Sequence, residues 1–168
     1  MRDPFTVAAE HGPGRGPGPV VPSRQRLVRL LATHRMGVLA TLKQDGSPHL
    51  TTMAYAWSGS EQVIRISSVA GRIKVRHLEH TPRAAFYVTS QDHLEFAVAE
   101  GDAEVSPPST APGDETGREL LAMQESLPAA DEAAFLKNMV ADQRLVIRLP
   151  MSHLYGGGLD VTQPSEGQ

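Results

Sequence analysis

"MGVLATLKQDGSPHLTTMAYAW", residues 36–57, decides the fold. Two strand-like runs flank Asp45-Gly46, a strong hairpin signal, because glycine accepts the left-handed backbone that tight turns require. The second run alternates His49, Thr51, Met53, Tyr55 and Trp57 against Leu50, Thr52, Ala54 and Ala56, so one face is bulky and amphipathic and the other mostly small. Tyr55 and Trp57 read as core residues. For His49 and Thr52, a ligand contact and an ordinary surface position both fit.

Upstream, Ser23 is placed to cap a helix over "SRQRLVRLLATHR" (23–35), with Leu27, Leu30 and Leu31 as its apolar stripe. Downstream, "QVIRISS" (62–68) is a third alternating strand, and a short helix follows until Thr81-Pro82 ends it. "RAAFYVTS" (83–90) and "LEFAVAEGDAEV" (94–105) read as two further strands joined by a Gln91-Asp92 turn. Two helical stretches, "ETGRELLAMQESL" (115–127) and "DEAAFLKNMVAD" (131–142), carry acids in their first turns as complements to the helix dipole. "QRLVIRLPMSHLYG" (143–156) closes the domain as a sixth strand. Consecutive strands with tight turns favour antiparallel pairing, since parallel pairing needs a crossover after most strands. The prediction is a mainly β domain with peripheral helices, its six antiparallel strands curled into a closed or split β-barrel.

The ends differ in composition. Residues 1–22 include "HGPGRGPGPVVP" and read as a disordered Gly/Pro-rich arm, and residues 157–168 read as a flexible tail. The folded domain is expected over 23–156, and trimming to 23–157 is expected to leave stability nearly unchanged.

With 168 residues the chain fits one domain, and a net charge of -3 argues against a general nucleic-acid binder. It has no cysteine, which excludes disulfides and thiolate chemistry and fits a cytoplasmic protein. No apolar run approaches the length of a transmembrane helix, so no membrane partner is expected. The seven histidines offer no spacing that converges three or four ligands, so no metal site is predicted. Neither a Gly-x-Ser-x-Gly elbow nor a strand-borne dinucleotide loop occurs.

Against this acidic background, "SSVAGRIKVRHLEH" (67–80) gathers Arg72, Lys74, Arg76 and His77 where a helix begins. A helix N-terminus favours anions, Arg72 offers a planar fork, and Lys74 adds a point charge. The alternative is a solvated basic face on a helix that exists to bury Val75 and Leu78.

The order of elements, with "GVLATLKQDGSPHL", "ISSVAGRIKVRHLEHTPRAAF", "FAVAEGDAEVSPP" and "LPMSHLYG", resembles the pyridoxamine-phosphate-oxidase-like superfamily of flavin- and deazaflavin-binding split β-barrels, and most closely its coenzyme F420-dependent reductases. The resemblance runs from about Leu27 to Gly156. It implies a homodimer with cofactors at the subunit interface, acting on a small organic molecule. It places the phosphate-binding cations at Arg72 and Lys74 and a supporting hydroxyl at Ser67. His49, Thr52 and Met53 would line the ring and its chain, and Phe96 would lie where the partner subunit covers the cofactor. The implied function is hydride transfer by an F420-dependent oxidoreductase, with no catalytic side chain assigned. An FMN-dependent oxidoreductase and a non-catalytic flavin- or deazaflavin-binding protein are the alternatives. The Arg-x-His signature of true pyridoxamine-phosphate oxidases is absent, since Met151 stands two residues before His153, and pyridoxal-phosphate synthesis is not expected.

Overall fold

The computed structural model describes residues 18–161. Its elements in chain order are β1 (Gly18–Val20), α1 (Arg24–Thr33), β2 (Met36–Leu42), β3 (Pro48–Ala54), β4 (Ala56–Ser58), β5 (Val63–Val69), α2 (Ile73–His80), β6 (Arg83–Thr89), β7 (Glu95–Asp102), β8 (Glu104–Val105), α3 (Glu115–Ala122), α4 (Glu132–Ala141), β9 (Arg144–Pro150) and β10 (His153–Asp160). One 3₁₀ turn, Ala129–Asp131, precedes α4.

All strand pairing is antiparallel, in two sheets ordered β1-β10-β7-β6-β2-β3 and β4-β5-β9-β8. Of the closed or split barrel expected, the closed form is corrected to two sheets, and the strand number rises from six to ten, because three long runs each divide and Gly18–Val20 adds a strand. The reason lies in the long strands. The run at 48–58 breaks at Tyr55, the run at 95–105 at Ala103, and the run at 144–160 at Met151-Ser152. Each break carries the chain from one sheet to the other.

The expected hairpin forms: Gly46 takes φ +80°, its N–H donates to the Lys43 carbonyl, and the Lys43 N–H donates to Ser47. Ser23 caps α1, accepting from the Arg26 N–H, and Leu27, Leu30 and Leu31 are buried along the helix. They join a core of Leu39, Phe86, Ile64, Ile66, Ile147 and Leu149 between the sheets. Tyr55 is buried there, its hydroxyl donating to the Leu31 carbonyl at 2.8 Å, and Trp57 packs against the same core. Asp114 caps α3: despite its burial, backbone N–H groups of Thr110, Gly117 and Ala111 and the Ser109 hydroxyl hold its carboxyl down at about 2.

Both expected domain bounds shift outward. Gly157–Asp160 continues β10 instead of beginning a tail, and Gly18–Val20 pairs with it instead of belonging to a structureless arm. The Gly156–Gly158 run is a packing device, because a Cβ on Gly156 would collide with the Phe96 carbonyl and the Leu27 side chain. The remaining residues assigned to the arm and tail, 1–17 and 162–168, lie outside those described.

Candidate functional site

The turn that enters α2 starts where β5 ends. Ala70 N–H donates to the Gln143 carbonyl, and Gly71 takes φ +79°, a conformation a side chain would strain. Arg72 stands at the N-cap in extended geometry with no side-chain cap bond. Val75 and Leu78 are buried and pin the helix to the core, as their spacing predicts. Arg72 and Arg76 remain exposed and Lys74 half-buried. Burial, and then the charge of Arg72, push the Lys74 ammonium below its usual range. No acid stands in the first turn of α2, and none of Arg72, Lys74 and Arg76 forms an ion pair among the described residues. Cations held together without a counter-charge are a stored demand for an anion.

A groove of about 550 Å³ runs from this helix to the β2–β3 hairpin, lined by Lys43, Asp45, Ile73, Arg76, His77 and His80. Its one carboxylate is engaged: Asp45 accepts from the Ser47 hydroxyl at 2.6 Å and the Ser47 N–H at 2.9 Å, and these bonds lower its pKa. At the groove wall, buried His77 has Nδ1 3.0 Å from Thr41 Oγ1 and meets His49 edge-to-face at 5.1 Å. Burial first, then the charges of His49, Lys43 and Arg76, lower the His77 pKa. Among the described residues, no three His, Asp or Glu side chains converge as metal ligands.

A second cavity of about 390 Å³ lies where the β3–β4 break meets the end of α3. Met53 and Ser67 share its wall with Arg35, Met123 and Arg144.

The seven expected residues thus fall into three groups. Arg72 and Lys74 stand together at the α2 turn, and His49 approaches that helix through His77. Met53 and Ser67 line the second cavity. Thr52 and Phe96 lie apart from both, on the other face of the six-stranded sheet. There the register makes a row of Thr52, Val38, Tyr87, Val98 and Tyr155 across five strands. Phe96 stacks on Tyr87 with centroids 5.6 Å apart. Period-two alternation already separates Thr52 from His49 and Met53, so these three cannot line one surface within a single chain. Sequence reasoning missed Arg144 and Arg35. Neither sits in a motif, and strand register alone brings Arg144 beside Val69 and the α2 turn.

Among the described residues the arrangement offers a cationic run without ion pairs, a small cavity lined by apolar and charged side chains, and a half-exposed aromatic sheet face. Among solved structures, an F420 reductase is 25% identical, with 80% of this chain and 98% of that one covered at a TM-score of 0.56. A conserved hypothetical protein of Mycobacterium tuberculosis is 22% identical, with 89% and 93% covered and a TM-score of 0.65. A FAD-binding protein of Mesorhizobium loti is 19% identical, with 84% and 99% covered and a TM-score of 0.60. Since the pyridoxamine 5'-phosphate oxidase family model matches residues 23–147, most of the described fold from the Ser23 cap into β9, the chain belongs to that family.

Proposed function

We propose that the protein is an oxidoreductase that binds coenzyme F420 and passes hydride between it and a small organic molecule. The observation that carries this reading is the length of the cationic run. Arg72 and Lys74 suffice for one phosphate, whereas Arg76 and Lys43 extend the positive field along the groove to the hairpin. A longer acidic tail uses that extension; a short phosphate-ended one does not. The likeness to an F420 reductase supports the same choice.

In this reading Arg72 grips the phosphate through its fork and Lys74 adds a point charge. Ser67 and Met53 bound the second cavity. When bound, the deazaflavin supplies the hydride chemistry; the chain orients it and keeps water from its reactive face. A substrate proton comes from solvent or His49, because the Tyr55 hydroxyl is committed to Leu31 and burial, partly opposed by Arg35, pushes its pKa up. We read the two sheets as halves of a split barrel built on the six expected strand runs, supported by the three of those runs that pass between the sheets. A second copy covering the Thr52–Tyr155 row would bring Thr52 and Phe96 to a shared cofactor, which reunites the separated residues.

FMN on the same fold is the second reading, favoured by the flavin chemistry of the family. Titrating purified protein with F420, FMN and FAD, with ring fluorescence as readout, decides between them. Tightest binding of F420 is expected; preference for FMN overturns the F420 assignment. Tight binding without turnover against a panel of acceptors would identify a carrier in place of an enzyme.

A further inference from the structure

We propose that Arg144 anchors the anionic group of a small ligand in the cavity between the end of the four-stranded sheet and the α3–α4 connection. Three arginines project from one face of that sheet, as the pairing Arg65↔Arg148 and Val69↔Arg144 fixes. Two of them share a carboxylate: Arg65 Nε and Arg148 Nε each donate to Glu119 Oε1 at 2.8 Å. The third is left over. Arg144 Nε is buried without a hydrogen-bond partner, and its one ion pair is a 3.6 Å approach to Asp142, whose side chain is half exposed. A buried N–H without an acceptor costs stability, so such a group in a native fold calls for a partner.

The surroundings point to an anion on an apolar body. The cavity of about 390 Å³ suits a small molecule. Met53, Ala56 and Met123 supply apolar wall, Ser67, diagonal to Arg144 across the β5–β9 pair, supplies a hydroxyl, and the one lining carboxylate, Glu125, is paired with Arg35. The other cation there, Arg35, is already committed to Glu125 and to the Ala32 and His34 carbonyls. Of the two, Arg144 is the one whose buried Nε lacks a hydrogen-bond acceptor. The anion is either the phosphate of the bound cofactor, seated at Arg144 in place of Arg72 and Lys74, in which case the proposal rests on the redox reading, or the carboxylate of an organic acid, in which case it stands apart from it.

The test compares wild type, Arg144→Gln and Arg144→Lys with two pairs of probes, FMN against riboflavin and benzoate against benzamide, by fluorescence and calorimetry. Arg144→Gln should bind one anionic probe about 10- to 100-fold more weakly, the loss of charge-assisted bonds, with its neutral analogue unaffected. Loss confined to FMN names the phosphate; loss confined to benzoate names the carboxylate. Arg144→Lys should keep part of the affinity, and neither variant should melt below wild type. The proposal is overturned if Arg144→Gln binds both anions as wild type does, if it loses neutral and anionic probes alike, or if wild type binds neither anion. Wild type that binds benzoate through Arg144 but neither F420 nor FMN would overturn the redox reading and leave this one standing.

Discussion

Thr41 and His77 meet at 3.0 Å between Oγ1 and Nδ1, joining strand β2 to the inner side of α2 beneath the cationic groove. Both are buried, so the helix that carries Arg72 and Lys74 is fixed to the sheet by a polar contact as well as by Val75 and Leu78. Burial and neighbouring positive charge lower the His77 pKa from 6.5. The unfolded chain therefore takes up a proton near pH 6.5 that the folded state resists. Stability is complete above that pH and falls as pH drops from 6.5 through the lower folded value. Melting temperatures between pH 8 and 5 should show this slope in wild type and lose most of it in His77→Gln. Equal slopes in the two proteins would remove His77 from the account.

Glu119 binds α3 to the four-stranded sheet through Arg65 and Arg148, with all three side chains largely covered. Hydrogen bonding from Arg148 and, against burial, from Arg65 keeps its pKa low. Glu119→Ala leaves two neighbouring arginines without their shared acceptor and should cost about 2 kcal/mol in urea unfolding, between the exposed and fully buried cases. Glu119→Met with Arg148→Met should recover part of that, because two like charges are then no longer left facing one another. A loss below the error of the measurement in Glu119→Ala would mean that apolar packing alone seats α3.

Local signals were legible and long-range ones were not. The Asp45-Gly46 turn, the Ser23 cap, the Leu27–Leu31 stripe and the Thr81-Pro82 stop each depend on neighbouring residues, and each appears as read. The strand breaks at Tyr55, Ala103 and Met151-Ser152 depend on which sheet each half joins, and no local residue announces that. The tail was misread for a related reason: Gly156–Gly158 looks flexible in composition, while its glycines exist to let β10 pass close to Phe96 and Leu27. Among site residues, the α2 cations came from a local cluster, whereas Arg144 depends on register with β5. The truncation forecast therefore changes. Trimming to 23–157 removes β1 and the last three residues of β10, Gly158–Asp160, which pair with it and with β7, so the shortened chain should melt lower than full length, as circular dichroism would record.

The face bearing Thr52, Val38, Tyr87, Val98 and Tyr155 leaves Tyr87 39% and Tyr155 44% exposed, with Leu50 66% exposed nearby. Aromatic and aliphatic area in one row on a sheet face favours association with a second copy. Sedimentation should give a dimer, and Tyr87→Arg should shift it toward monomer while weakening cofactor binding. A wild-type monomer at concentrations where cofactor still binds would end the shared-site reading.

The cations at the α2 turn make the sharpest claim. Replacing Arg72 or Lys74 by Ala removes charge-assisted hydrogen bonds worth roughly 1.5–3 kcal/mol each, so F420 affinity should fall about 10- to 100-fold. Folding stability without ligand should barely change, since neither side chain forms an ion pair among the described residues and their charges repel. Arg72→Lys should restore only part of the loss, because an ammonium cannot reproduce the two-pronged fork. Added salt should weaken binding to wild type more than to the Arg72/Lys74 double variant. A solvated basic face predicts the reverse: wild type and all four variants bind alike, and any defect appears in folding. Equal affinity of wild type and double variant for F420 and FMN would leave the cluster as surface, whatever family the chain belongs to.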